Sequence, residues 1–451
     1  MTGVAAAALL GRGALRLSRQ ELSFVGLLAA LAAWIALSAL WTESLPKTVL
    51  EVQRVLVYVT AAAALLLTGR RDSARSVADG VLAAAVAVAG LNLLLRALGE
   101  AETSISGGRA EPVGYENGLA ILLVLGVILA LGKRRMVAVP ALAVLLLSLL
   151  ALDSRGSLLA LAVGAAAMIV LRHGSGRPLA FPAVVAVGLS IAIVAGAAIR
   201  SERSRYWRVA IEQAESAPGL GTGAGTFGRV WLRERRTAIA TRDAHNLYLE
   251  TLGELGPFGL ALLASALAVP LAAASAARMP EVGGAYAAFV VHAGIDWDWE
   301  LAAVTVAGLA CACALLLAAR ASPLDLSRRA RAAGAFAALP VAVFSVVGLV
   351  GAAAAARGID AVAERRWADA EEAAARVTRW APWSDEGWRL TGEVRRGEGR
   401  IADARESFLR AIEKDPGDPQ LWVALARVSR GSLRSEAVTE ALERNPLGGL
   451  P

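Results

Sequence analysis

Long apolar runs separated by short polar breaks fill the chain as far as residue 356. With about 20 apolar residues per bilayer crossing as the ruler, the pattern predicts eleven membrane helices. They lie near 22–40, 49–68, 77–98, 115–132, 136–152, 156–171, 179–199, 250–277, 282–298, 301–319 and 334–356. Several are rich in Ala and Gly, which lets helix backbones approach one another closely. The run at 250–277 is interrupted by Gly253, Gly256, Pro257 and Gly259. Such breakers imply unwound or closely packed backbone lining a cavity, because irregular backbone is not tolerated against lipid. Two segments do not read as spans: 200–249, with a short amphipathic helix through Glu212 and Glu215, and 357–451.

The second of these contains an internal repeat. Trp388 and Trp422, Ala370 and Ala404, and Pro382 and Pro416 each recur at a period of 34. Together with Gly392, Gly399, Phe408 and Ala411, these offsets resemble the tetratricopeptide repeat family over about 95 residues. Small residues let paired helices approach, Phe408 fills the gap between them, and Pro416 ends the second helix. The unit reads either as a stabilising helical cap or as a docking surface for protein or glycan.

Composition agrees with a membrane protein. Of 451 residues, 56% are hydrophobic and only 19% charged, and the mean hydropathy is +0.54, too oily for a soluble chain of this length. The net charge of +7 does not point to nucleic acid, because the surplus Arg and Lys sit in short clusters between apolar runs. Alternate loops hold Arg70, Arg71 and Arg75; Lys133, Arg134 and Arg135; Arg172 and Arg177; Arg278; and Arg320, Arg328, Arg329 and Arg331. The loops between them carry Glu100, Glu102, Glu111 and Glu116, or Asp296, Asp298 and Glu300. Since basic short loops stay cytoplasmic, the N-terminus is expected inside and the C-terminus outside the plasma (inner) membrane. Both long polar segments then share the outer face. Arg12, Arg16 and Arg19 precede a first run with no convincing cleavage site, which reads as an uncleaved span. Cys311 and Cys313 stand too close for an ordinary disulfide and lack metal-ligand neighbours, so they read as core residues. The expected fold is an all-α polytopic membrane bundle of about eleven spans with a C-terminal helical domain. Its parts are 1–199, the outer loop 200–249, 250–356 and the repeat domain 357–451.

Candidate chemistry concentrates in the outer loop. Arg203, Arg205, Arg208, Arg233, Arg235, Arg236 and Arg242 gather there against the orientation bias, and such a basic surface beside a membrane suits an anion such as a lipid diphosphate. The run with Gly221, Gly223 and Gly225 is either a phosphate cradle of backbone N–H groups or a plain turn. His245, followed by Asn246 at the mouth of the broken helix, is either a structural hydrogen-bonding residue or a base for an alcohol. His292 and Asp296, four apart, would share one helix face, as a packing pair or as a functional one. Asn117 reads as a cap or packing residue.

At these residues a resemblance emerges. His245-Asn246, nine residues, Gly256, two residues, Gly259 looks like the signature of the O-antigen ligase and polymerase superfamily. Arg203-x3-Trp207-Arg208, the glycine run from Pro218 to Phe227, and Ser154-Arg155-Gly156 are similar to its other elements, over roughly residues 20–320. The resemblance implies a glycosyltransferase of the membrane-embedded C type, needing neither metal nor cofactor. It would move a glycan from undecaprenyl diphosphate to a glycan, lipid or protein acceptor at the outer face of the bilayer. His245 would be the base or acceptor-activating residue, and Arg155 and Arg203 would hold the diphosphate and assist its departure. Arg208, Arg242, Asn246, the three loop glycines, His292 and Asp296 would be further substrate contacts, and residues 357–451 could take a protein partner. A polytopic transporter, suggested by the ionisable pair and the broken helix, and a non-catalytic envelope-assembly scaffold remain as alternatives.

Overall fold

A computed structural model describes residues 1–11, 15–99, 112–173, 180–198 and 202–449; Arg12, Glu100, Glu102, Glu111 and Arg177 lie outside the described residues. The chain is almost wholly helical. A short α1 (Thr2–Leu10) leads to α2 (Arg19–Leu37), α3 (Leu45–Thr68), α4 (Ser73–Ala97), α5 (Glu116–Ala130), α6 (Arg135–Leu150), α7 (Arg155–His173) and α8 (Ala180–Ala198). The polar segment that follows forms α9 (Glu202–Ser216) and α10 (Phe227–Glu234). The bundle is completed by α11 (Leu247–Ala277), α12 (Pro280–His292), α13 (Ala302–Ala319) and α14 (Arg328–Ala363). The C-terminal domain comprises α15 (Trp367–Trp380), α16 (Glu386–Gly397), α17 (Ile401–Lys414), α18 (Pro419–Val428) and α19 (Gly431–Arg444). Two short strands, β1 (Arg16–Leu17) and β2 (Leu324–Asp325), pair antiparallel with Arg16 opposite Asp325.

Each of the eleven apolar runs falls on a helix, but only seven helices have the length and composition to cross a membrane: α2, α3, α4, α7, α11, α13 and α14. The described parts of α5, α6 and α8 are shorter apolar helices, and α12 has 13 residues. The run expected to continue to 298 stops at His292, where the chain turns into a 3-10 segment at Asp298–Glu300.

Burial sorts the helices into layers. Every residue of α5 from Gly118 to Ala130, and of α12 from Val282 to His292, is buried. These are the central helices, apolar all round because no face meets water. At the periphery, α14 leaves Phe336, Leu339, Val343, Val346 and Leu349 exposed, an apolar face suited to lipid. One end of the bundle is tied by Arg320. Its Nε and Nη2 lie 2.8 Å from the Glu21 carboxylate, and it donates to the carbonyls of Leu66 and Gly69. The opposite end, where α3 begins, carries the polar loop: Thr48 Oγ1 donates to the Ala224 carbonyl (2.8 Å).

The repeat domain packs as its 34-residue period predicts. Ala404, Phe408 and Ala411 are fully buried, and a Cβ on Gly392 would come within 2.5 Å of the Phe408 ring. The domain rests on the polar loop through Arg229 of α10, whose Nη2 meets Asp415 Oδ2 at 2.7 Å and Asp418 Oδ2 at 3.0 Å. Ser44 Oγ donates to the same Asp415 oxygen (3.1 Å), and Arg235 Nη2 donates to Asn445 Oδ1 (2.7 Å). Burial pushes the Asp415 carboxyl upward against the pull of Arg229. At Asp418 burial acts the same way, but the hydrogen bond and charge of Arg229 outweigh it and hold that carboxyl below its usual range.

Candidate active site

The site is organised by the break in α11. Gly256 has φ 67° and ψ −174°, followed by Pro257, so the carbonyls of the preceding turn lose their helical partners. Each finds another: Thr222 N–H donates to Gly253 O (3.1 Å), Gly223 N–H to Glu254 O (2.8 Å), and Trp34 Nε1 to Leu255 O (2.9 Å). The glycine run therefore lies against the broken helix. A Cβ on Gly221 would meet the Glu254 backbone at 2.3 Å, and one on Gly256 would meet the Gly219 carbonyl at 2.4 Å. Glu254 closes the arrangement by accepting from Gly225 and Phe227 N–H, both at 2.8 Å.

The expected phosphate cradle is corrected by this geometry. Gly221 N–H donates to Ala217 O, and those of Gly223 and Gly225 serve Glu254. None of the three faces an open anion site; all three have positive φ, and a side chain would meet Glu254 of α11 at Gly221, Thr42 at Gly223 and Lys47 of α3 at Gly225.

His245 ends the polar loop just before α11. It is a non-glycine residue at φ 53°, a left-handed conformation that must be held by its surroundings. Trp207 Nε1 donates to its carbonyl (3.4 Å), and the Tyr206 ring lies 5.1 Å from the imidazole centroid to centroid. Next to it, Asn246 caps α11: its Oδ1 accepts from Tyr248 and Leu249 N–H, both at 3.0 Å, the usual role of Asn at a helix start. Asn246 Nδ2 is buried with no partner among the described residues. His245 Nδ1 is 3.3 Å from both the carbonyl and Oδ1 of Asp243. A proton on Nδ1 donates to the carbonyl, with the carboxylate close by, and leaves Nε2 with its lone pair.

Arg203, His292 and Asp296 come together in a second, buried network. Asp296 is 1% exposed and accepts from Tyr115 Oη (2.7 Å), Asn117 Nδ2 (2.7 Å), Arg203 Nη2 (2.7 Å) and Trp297 N–H (2.8 Å). His292, also 1% exposed, has Nε2 3.1 Å from Ser157 Oγ and Nδ1 2.9 Å from Asp298 Oδ2. Two expectations are corrected here. His292 pairs with Asp298 rather than Asp296, because α12 ends before Asp296 could share its face. Both side chains are engaged with partners among the described residues and anchor α5, α7 and α9 to the end of α12. Arg203 belongs to the same anchor. Asn117, expected as a cap or packing residue, is one of its hydrogen-bond donors. The Ser-Arg-Gly element also has a place in it. Ser154 Oγ donates to Ser157 Oγ (2.8 Å), and a Cβ on Gly156 would sit 3.4 Å from His292 Nε2. Arg155 stays exposed on the outside of α7. Arg208 is exposed too, five residues past Arg203 and so roughly 140° round the helix.

Between α3, α10, α11 and the repeat domain lies a vestibule of about 450 Å³, lined by Lys47, Arg54, Arg242 and Glu300 among others. A narrower apolar slot of about 110 Å³, walled by Leu28, Leu31, Leu263 and Phe289, shares Glu51, Arg54, Glu250 and Glu254 with it. Arg54 is bound to Glu51 (3.0 Å) and Glu300 (2.8 Å), and burial pushes the Glu300 carboxyl upward against that pull. Glu250 accepts Ala244 N–H (2.6 Å), one residue before His245. Lys47 and Arg242 make no ion pair among the described residues and face the vestibule. Of the arginines expected to form the basic surface, Arg235 and Arg242 line this cavity, Arg235 already held by Asn445, and His245 stands three residues beyond Arg242. Lys47, Glu51, Arg54, Asp243, Glu250 and Glu254 went unnoticed in the sequence. Ionisable residues inside or beside apolar runs were the available signal for five of them. Among the described residues no group of three or more His, Cys, Asp or Glu is placed to hold a metal ion.

Residues 119–264 match the O-antigen ligase family, an interval that contains Arg155, Arg203, the glycine run, His245 and the break at Gly256. Residues 385–428 match a tetratricopeptide repeat. No curated protein matches the chain. The chain is thus a membrane-embedded helical protein in which residues 119–264 are similar to the O-antigen ligase family and residues 385–428 to a tetratricopeptide repeat.

Proposed function

We propose that this protein transfers an oligosaccharide or polysaccharide from an undecaprenyl diphosphate carrier to an acceptor hydroxyl at the outer face of the plasma membrane, without a metal ion. The observation that carries the reading is that the O-antigen ligase match spans His245, whose Nδ1 faces Asp243 and whose Nε2 is thereby the basic nitrogen. In the reaction, the acceptor oxygen attacks the anomeric carbon, its proton passes to His245 Nε2, and the bond to the diphosphate oxygen breaks with its electrons on the leaving group. Lys47 and Arg242 are the cations we assign to that diphosphate, since both line the vestibule and neither makes an ion pair among the described residues. The apolar slot beside them suits an isoprenoid chain. Arg203 acts as a positioning residue through Asp296, and Arg155 and Arg208 meet the substrate only if it extends over the exposed faces of α7 and α9.

The test is to size lipid-linked and surface glycans from a strain lacking the protein, complemented with wild type or His245→Ala. Single lipid-linked units accumulating in the His245→Ala strain mean a polymerase, and full-length polymer stranded on its carrier means a ligase. Wild-type glycans in the His245→Ala strain at equal protein abundance would overturn the reading.

A further inference from the structure

The vestibule does not end at the membrane domain. Pro419, Gln420 and Asn445 of the repeat domain form part of its wall, and the same three residues line a second cavity of about 380 Å³ on the repeat domain. That second cavity runs between α16, α18 and α19, past Arg389, Glu393 and Arg427. Each cavity is of the size that holds a compact ligand; joined through shared side chains, they make one trough for an extended one. Its junction is rigid. Asn445 is held by Arg235 through Oδ1, which leaves Nδ2 as a donor, and Arg229 clamps Asp415 and Asp418 just ahead of Gln420. Gln420 is exposed and its side-chain amide makes no hydrogen bond among the described residues.

The lining chemistry selects the occupant. Here Gln420, Asn445 and Arg427 offer amide and guanidinium donors beside the apolar Val423, Ala424 and Leu442, a mix that meets both the hydroxyls and the C–H faces of a sugar. It suits a hydroxyl-rich chain, and continuity with the vestibule means that a chain reacting there would emerge along this trough. We propose that the trough across Gln420, Asn445 and Arg427 is a carbohydrate-chain subsite, so that the repeat domain grips the glycan several units from the reacting end. The proposal rests on the glycan-transfer reading above.

Free oligosaccharides released from the lipid-linked pool, of one and of several repeat units, are titrated calorimetrically into the purified full-length protein. Val423→Trp, which fills the second cavity without touching the vestibule, and Arg427→Ala are compared with wild type; Arg427 is exposed, so the second variant decides if the first fails to accumulate. The expected result is at least tenfold weaker binding of multi-unit fragments with single-unit binding unchanged, and shorter or fewer transferred chains in cells. Binding and product lengths equal to wild type in both variants, while His245→Ala is inactive, would overturn the subsite and leave the transfer reading intact; a peptide partner would then be the occupant to seek. Transfer undiminished in His245→Ala would remove the transfer reading and, with it, this proposal.

Discussion

His245 combines a strained backbone with a carboxylate and a carbonyl on one ring nitrogen, the arrangement that fixes a tautomer for proton abstraction. His245→Ala is expected to lower transfer by about 10²–10⁴-fold with unchanged abundance, read from glycan profiles against immunoblots. Arg203 behaves differently. Its partner Asp296 is buried and bound by four donors, so Arg203→Ala leaves a buried carboxylate short of its counter-charge. Loss of folded protein is expected, partly recovered in Arg203→Ala with Asp296→Asn. If the double variant is as poorly folded as the single one, Arg203 is not acting through Asp296. Sequence spacing exposed His245 and Asn246 because they are adjacent to each other and to a helix start. It could not expose the partners of Arg203 or His292, since those contacts close across 93 and 135 residues and leave no local period.

At the scale of elements, the break in α11 was legible from Gly253, Gly256, Pro257 and Gly259, and the repeat from its 34-residue period. The function of the glycine run was not, because the same three glycines serve an anion cradle or a close approach to another backbone, and only the position of Glu254 distinguishes them. Gly256→Ala tests this reading. A side chain there meets both a positive φ and the Gly219 carbonyl, and strain of this kind costs on the order of 1–3 kcal/mol. A lower melting temperature with the loop more open to protease is expected; unchanged stability would mean that the loop is not seated on the break. In the repeat domain, burial raises the Asp385 pKa to about 6, with Asp415 adding to it. A carboxyl raised in the folded state binds its proton more tightly there, so stability falls as pH rises from about 4 to about 6 and is level beyond. The advantage of Asp385→Asn in melting temperature should therefore grow over that window, and a pH-independent difference would contradict the assignment.

Across the whole molecule, the Glu21–Arg320 tie and the polar loop sit at opposite ends of α3, and the repeat domain docks at the loop's end through Arg229. The division into two membrane halves, an outer loop and an outer repeat domain, with the N-terminus cytoplasmic, is the organisation we propose. Reporter fusions after residue 70 and after residue 445 should report opposite sides. Arg229→Ala removes the counter-charge of two carboxylates, one of them 1% exposed, a loss on the order of 3–5 kcal/mol for a buried pair. It should free the repeat domain to proteolysis while the membrane bundle stays intact, and resistance equal to wild type would show that the docking does not depend on this clamp. The central claim is direct transfer from the lipid carrier by the basic site at His245. The most direct measurement is release of undecaprenyl diphosphate from purified lipid-linked glycan by the purified protein in a bilayer with chelator present. Release by wild type, lowered by about 10²–10⁴-fold in His245→Ala, is the predicted result; equal release by both, or none by wild type with acceptor supplied, would contradict it.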